Sequence, residues 1–174
     1  MIGLGVIKKL TKTKKAIALI SAALILTACS TDGGVESMSG NQSTSTNFPS
    51  VTNTPGVAPV IGALSGDAPT DLQTKEIIVG TGATAIATSV IEAHYVLMTW
   101  STGQVVQSSW DGGQSFSTAL SGVISGWQKG IPGMKEGGRR LMIIPPALGY
   151  GASGSGPIAP NETLVFVVDL IKVS

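Results

Sequence analysis

The 174 residues contain one histidine, His94, and one cysteine, Cys29. A serine or cysteine nucleophile needs a basic partner, and a structural zinc needs several thiolates or imidazoles, so this inventory builds neither. An intrachain disulfide would need a second sulfur. Gly149-Tyr150-Gly151 is followed by no Lys-Ser or Lys-Thr and has no strand-to-helix setting, so it is not a phosphate loop. Glu136 and Glu162 are parted by turns and offer no paired carboxylates. No metal or cofactor is implied. What remains is aromatic and neutral: Tyr95, Phe116, Trp127, Tyr150 and Phe166, with Val123 and Ile124 close to the tryptophan. Such residues do chemistry by excluding water and by placing a few hydroxyl or backbone donors against an apolar ligand. Without further context they would equally pass for core packing, and His94 for an ordinary half-buried strand residue.

The elements that must position these residues begin near Asp71, where patterning becomes short strand-like runs separated by turn signals. Thr74 to Val79 reads as an edge strand. Val90 to Trp100 alternates, with Ile91, Ala93, Tyr95 and Leu97 on one face and Glu92, His94 and Val96 on the other, which predicts a half-buried strand. Thr102-Gly103-Gln104 is a hairpin turn into Val105 to Ser108, and Ser115 to Ala119 is a further strand. Val123 to Gly130 carries Ile124, Trp127 and Gln128 at helical spacing, and Pro132 ends that helix after about two turns. Arg139 to Ile144 is a strand, Pro145 to Ile158 a Gly- and Pro-rich loop, and Thr163 to Val173 a long closing strand. Many strands, one short helix and a loop of small residues indicate an antiparallel sheet wrapped on a helix, an α+β arrangement.

The first 69 residues read differently. Lys8, Lys9, Lys12, Lys14 and Lys15 form a basic start, and Ala16 to Ala28 form an apolar run of thirteen residues, too short to span a bilayer as a mature helix. The run closes in Leu26-Thr27-Ala28-Cys29, which resembles the lipobox of bacterial lipoproteins. That resemblance implies a signal peptide over residues 1–28, removal of that peptide, and acylation of Cys29 with several chains, which gives stable anchoring where one chain is marginal. The expected address is the cell envelope; Ser30 after the lipidated cysteine resembles an outer-membrane signal in a Gram-negative host, facing the periplasm or the surface. Residues 29–69 are then expected to be a disordered tether rich in Ser, Thr, Gly, Asn and Pro, with Val57 to Leu64 as its most apolar part. Beyond the signal, six basic residues face ten acidic ones, a net charge of −4, so no basic stripe is available for nucleic acid.

Four ordered motifs in residues 70–174 are similar to one family. Val123-Ile124-Ser125-Gly126-Trp127 resembles V-I-x-G-W, and Gly130-Ile131-Pro132-Gly133-Met134-Lys135-Glu136-Gly137-Gly138 resembles G-x-x-G-M-x-x-G-G. Ile144-Pro145-Pro146-Ala147-Leu148-Gly149-Tyr150-Gly151 resembles I-P-P-x-L-G-Y-G, and Pro160-Asn161-Glu162-Thr163-Leu164-Val165-Phe166 resembles P-N-x-T-L-V-F. All four are signatures of FKBP-type peptidyl-prolyl cis-trans isomerases. The resemblance implies an FKBP-like antiparallel sheet of five to six strands around one short helix, with a shallow apolar pocket between them. It implies Trp127 as the pocket floor and Tyr95, Phe116, Val123, Ile124, Tyr150, Ile158 and Phe166 as walls, with the Ile124 N–H and the Tyr150 hydroxyl as donors to substrate carbonyls. The partners would be Xaa-Pro segments of envelope proteins, the membrane through Cys29 and, weakly, macrolide inhibitors.

Twisting a prolyl amide breaks no bond and must overcome a barrier of about 18 to 20 kcal/mol. A dry apolar cleft disfavours the planar, charge-separated ground state relative to the twisted one, and lowering the barrier by about 5 kcal/mol gives several thousandfold. The family's F-D-S-S segment is replaced here by Val106-Gln107-Ser108-Ser109, and Gly112 stands where many members carry an arginine that pairs with the aspartate. Val106 and Gln107 are therefore expected as substrate contacts of a wider, less polarised pocket. The functional expectation is an isomerase that assists folding in the cell envelope; the alternative is a catalytically weak FKBP-like binding or chaperone module for proline-containing segments.

Overall fold

The computed structural model describes residues 48–174. The signal peptide expected over residues 1–28, the lipidated Cys29 and the tether up to residue 47 lie outside the described residues. Among these, six strands and one α-helix follow in the order β1 (Gln73–Ile78), β2 (Val90–Thr99), β3 (Val105–Ser108), β4 (Phe116–Ala119), α1 (Ser125–Gly130), β5 (Arg139–Ile144) and β6 (Leu164–Val173). The strands form one antiparallel sheet in the order β1-β5-β6-β2-β3, with β4 pairing β2 as well. The two longest strands, β2 and β6, are rich in β-branched and aromatic residues and pair from Ile91 opposite Val173 to Thr99 opposite Leu164.

One outer edge of β2 is shared by two short strands. Its first half pairs β4, from Val90 opposite Ala119 to Ala93 opposite Phe116, and its second half pairs β3, from Val96 opposite Ser108 to Met98 opposite Val105. The break between them falls at His94 and Tyr95. Ser109 fills part of the gap: its N–H donates to the Tyr95 carbonyl at 3.0 Å, and its Oγ accepts the Tyr95 N–H at 2.9 Å.

Alternation along β2 and β6 creates two cores. Ile91, Ala93, Leu97, Phe166, Val168 and Leu170 face α1, together with Trp127 and Ile131. Val96, Met98, Val165 and Val167 face the other way with Leu141, and Ile61 covers them. The alternation predicts a half-buried β2, but its second half is buried on both faces. The cover is the stretch expected to be structureless. Residues 48–64 form a strap in which Phe48, Val51, Ile61 and Leu64 pack on the second core. The strap folds back on itself through Thr52 N–H to the Val60 carbonyl (3.1 Å) and Gly62 N–H to the Ser50 carbonyl (2.8 Å). The expectation of disorder through residue 69 therefore fails for this part, because four spaced apolar side chains find an apolar face that would otherwise meet water.

Arg139 locks the strap down. It is 1% exposed, and its Nε and Nη2 donate to the two Asp169 carboxylate oxygens at 2.6 Å each. Nη1 donates to the Thr52 carbonyl at 2.8 Å and Nη2 to the Val57 carbonyl at 2.7 Å. A buried guanidinium is tolerable only when its fork is satisfied in this way.

α1 is shorter than the 123–130 read from spacing. Val123 and Ile124 stay extended, at φ −107°, ψ 175° and φ −57°, ψ 149°. The helix then lies very close to β5: a Cβ on Gly126 would stand 2.4 Å from Ile144 Cγ2, and one on Gly130 2.6 Å from Met142 Sδ.

Candidate functional site

An open cavity of about 320 Å³ lies where α1 faces the gap in the sheet edge, lined by Tyr95, Gln107, Phe116, Gly122, Val123, Ile124, Trp127, Tyr150 and Phe166. Each reaches it for a local reason. Trp127 is held on the first turn of α1, 3% exposed, by the glycine-permitted approach of the helix to β5. Tyr95 and Phe166 come from the helix-facing rows of β2 and β6. Phe116 opens β4 and is 39% exposed, and Tyr150 sits on the loop after β5 at 37%, so these two form the rim. Val123 and Ile124 precede the helix in extended backbone and line the cavity. The N–H of Ile124 has no backbone partner among the described residues, while its carbonyl accepts from Trp127 and Gln128.

The rings meet edge to face. Trp127 lies 5.4 Å from Phe166 (84° between planes), 5.7 Å from Tyr95 (84°) and 6.1 Å from Phe116 (83°), and Tyr95 lies 5.8 Å from Phe116 (80°). These separations and angles are the favoured aromatic arrangement. The Trp127 Nε1 is buried with no acceptor among the described residues, as is the Trp110 Nε1 outside the cavity. Burial, and secondarily the nearby Tyr150, push the Tyr95 phenol above its ordinary value of about 10, so it keeps its proton and remains a donor. None of the nine lining residues carries a formal charge.

Tyr150 is placed by a chain of tight turns. Pro146–Leu148 and Gly151–Ser153 are single 3₁₀ turns on either side of it, and the Asn161 N–H donates to the Gly151 carbonyl at 2.8 Å. Gly154 has φ +65°, and a Cβ there would stand 2.4 Å from the Ile158 carbonyl oxygen, so only glycine fits.

The structure brings eight of the ten expected pocket residues to one cavity: Tyr95, Phe116, Val123, Ile124, Trp127, Tyr150, Phe166 and Gln107. Val106 and Ile158 are placed elsewhere. Val106, partly buried, and Ile158, 7% exposed, pack in the same core cluster as Trp127 and Phe166 but are not among the residues that line the cavity. Gly122 was missed; with no side chain it contributes backbone, and its only signal is its place just before Val123. Among the described residues no group of three or more His, Cys, Asp or Glu is placed to hold a metal, and no helix is long and apolar enough to cross a membrane.

Comparison with known proteins converges on this architecture. The family model for FKBP-type peptidyl-prolyl cis-trans isomerases matches residues 82–171, a stretch that begins after the strap and β1. The chain is 51% identical over 107 residues to a probable FK506-binding protein of Corynebacterium glutamicum, covering 62% of this chain and 91% of that protein. It is 44% identical over 119 residues to an FK506-binding protein of Streptomyces anulatus, covering 66% and 96%. Among solved structures, AtFKBP13 superposes with a TM-score of 0.56 at 33% identity over 62% of this chain and 96% of that one. FkpA from Escherichia coli gives a TM-score of 0.57 at 33% identity over 62% of this chain and 51% of that one. With a six-stranded antiparallel sheet, one short α-helix and an aromatic cleft among its described residues, the chain belongs to the FKBP-type peptidyl-prolyl cis-trans isomerases.

Proposed function

We propose that the aromatic cleft is the isomerisation site and that the enzyme works at the cell envelope, held by lipid on Cys29. The observation that carries the first part is the ring set itself: four aromatic side chains edge to face around one open, charge-free cavity. A proline ring resting on Trp127 and walled by Tyr95, Phe116, Val123 and Phe166 loses water on its apolar side. The prolyl amide inside loses the solvation that favours its planar, charge-separated form, and the twisted form is favoured in comparison. The Ile124 N–H and the Tyr150 hydroxyl then hold the carbonyls on either side while the amide turns. No proton need leave the protein. Val106 and Ile158 contribute by packing in the core, and Gln107 closes the β3 side.

The substrates are Xaa-Pro segments of proteins folding outside the cytoplasm, and the supporting observation is the Leu26-Thr27-Ala28-Cys29 sequence after a basic and an apolar run. Similarity to proteins named as FK506-binding supports macrolide binding, which Val106 and Gln107 weaken by removing an aromatic wall and a carboxylate. Incorporation of labelled fatty acid in cells tests the anchor: the wild-type chain takes up label and sediments with membranes, and Cys29→Ser does neither. Labelling that persists in Cys29→Ser would overturn the anchor without touching the isomerase.

A further inference from the structure

Building on the isomerase reading of the cleft, we propose that Gln128 is a positioning residue of the reaction. It holds the peptide unit between Val123 and Ile124 in the orientation that presents the Ile124 N–H to a substrate carbonyl. The Gln128 Nε2 donates to the Val123 carbonyl at 2.7 Å. That carbonyl and the Ile124 N–H belong to one peptide unit, and in a trans peptide the two point in opposite directions. A donor fixed on the carbonyl therefore fixes the direction of the N–H.

Little else holds this peptide. Val123 and Ile124 are extended ahead of α1, and Ile124 stands at the helix N-cap with no side-chain oxygen to tie it down. The next carbonyl along, that of Ile124, is drawn into the helix by the N–H groups of Trp127 and Gln128 at 2.9 and 3.2 Å. The Val123 carbonyl accepts from the Gln128 side chain alone among the described residues, and the Ile124 N–H has no partner among them. Val123 and Ile124 line the cavity, whereas Gln128 is exposed and does not line it, so its amide acts through the peptide rather than on the substrate. The same bond makes the N–H a better donor, because hydrogen bonds joined through one peptide polarise one another. The requirement is a donor at the end of a long side chain: methionine reaches as far with none, and lysine reaches with an ammonium.

The test is the exchange rate at an Xaa-Pro peptide by NMR with the full chain, Gln128→Met and Gln128→Lys, together with the Ile124 amide proton shift as the peptide is titrated in. Gln128→Met is expected to lower kcat/KM about three- to fivefold, the worth of one ordinary hydrogen bond, with the thermal midpoint little changed. Gln128→Lys, which still donates, stays within about twofold of wild type. The Ile124 amide proton moves downfield as peptide binds to wild type and moves less in Gln128→Met. Equal rates in wild type and Gln128→Met, an equal loss in both variants, a loss that tracks a falling thermal midpoint, or a full Ile124 response in Gln128→Met overturns the proposal. No acceleration by wild type overturns the isomerase reading itself; the Ile124 responses of the three proteins to peptide then decide the proposal, and no response in wild type overturns it.

Discussion

The two faces of the sheet are made by the same strands and do opposite work. On the helix side, Trp127 meets Tyr95 and Phe166 edge to face beside an open cavity, Tyr95 is tilted against Phe166, and no lining residue carries a charge. On the other side, one residue further along each strand, Val96, Val165 and Val167 are sealed under the strap, and the buried Arg139 has its fork filled by Asp169, Thr52 and Val57. Each face buries one indole N–H without an acceptor among the described residues, Trp127 beside the cavity and Trp110 against the second core, so what sets the helix side apart is that it is open and its lining carries no charge. Stability and function are separated here by the two-residue period of a strand.

Breaking the closed face has the largest expected effect. Arg139→Met strands the Asp169 carboxylate and frees the strap, a loss of about 3 to 5 kcal/mol in chemical denaturation. Catalysis per folded molecule is retained; a proportional loss would show that the faces are not independent. Ile61→Ala, within the strap, is expected to lose about 2 kcal/mol, again with catalysis retained. On the open face, Gly126→Ala drives a Cβ into Ile144 and pushes α1 off β5. It costs about 1 to 3 kcal/mol and also slows isomerisation, because the displaced helix carries Trp127. Tyr150→Phe leaves the thermal midpoint unchanged and lowers kcat/KM about fivefold, the value of one hydrogen bond of about 1 kcal/mol.

The smallest effect is alkaline. The Tyr95 phenol is raised in the folded state, so the unfolded chain loses this proton first. The corresponding stability is fully present below the ordinary phenol value of about 10 and disappears as pH climbs through the raised one. Tyr95→Phe should abolish that part of the alkaline stability loss in pH-dependent denaturation curves.

Much of the open face was legible in the sequence because its residues sit in ordered motifs on elements with clear periods. The two-residue alternation placed Tyr95 on the same face as Ile91, Ala93 and Leu97, and Pro132 ended the helix that carries Trp127. The strap was not legible. Its composition reads as coil with one apolar part at Val57 to Leu64, and the features that order it are a face built by β2, β5 and β6 and an arginine 87 residues beyond Thr52. Local composition carries no information about such a partner. Val106 and Ile158 were misplaced for a related reason: a residue's being beside the cleft is readable from a motif, but whether it lines the cavity or packs in the core depends on the turn of β3 and of the loop that ends at Ile158.

The open face is the proposed site of prolyl isomerisation, and cis/trans exchange at an Xaa-Pro bond by NMR tests it, with the full chain and with Phe116→Ala, a rim residue whose removal leaves the core intact. Strong acceleration by wild type that falls about tenfold or more in Phe116→Ala, with the denaturation midpoint little changed, is the predicted result. Equal acceleration by both proteins, or peptide binding to the cleft with no acceleration by either, would contradict it.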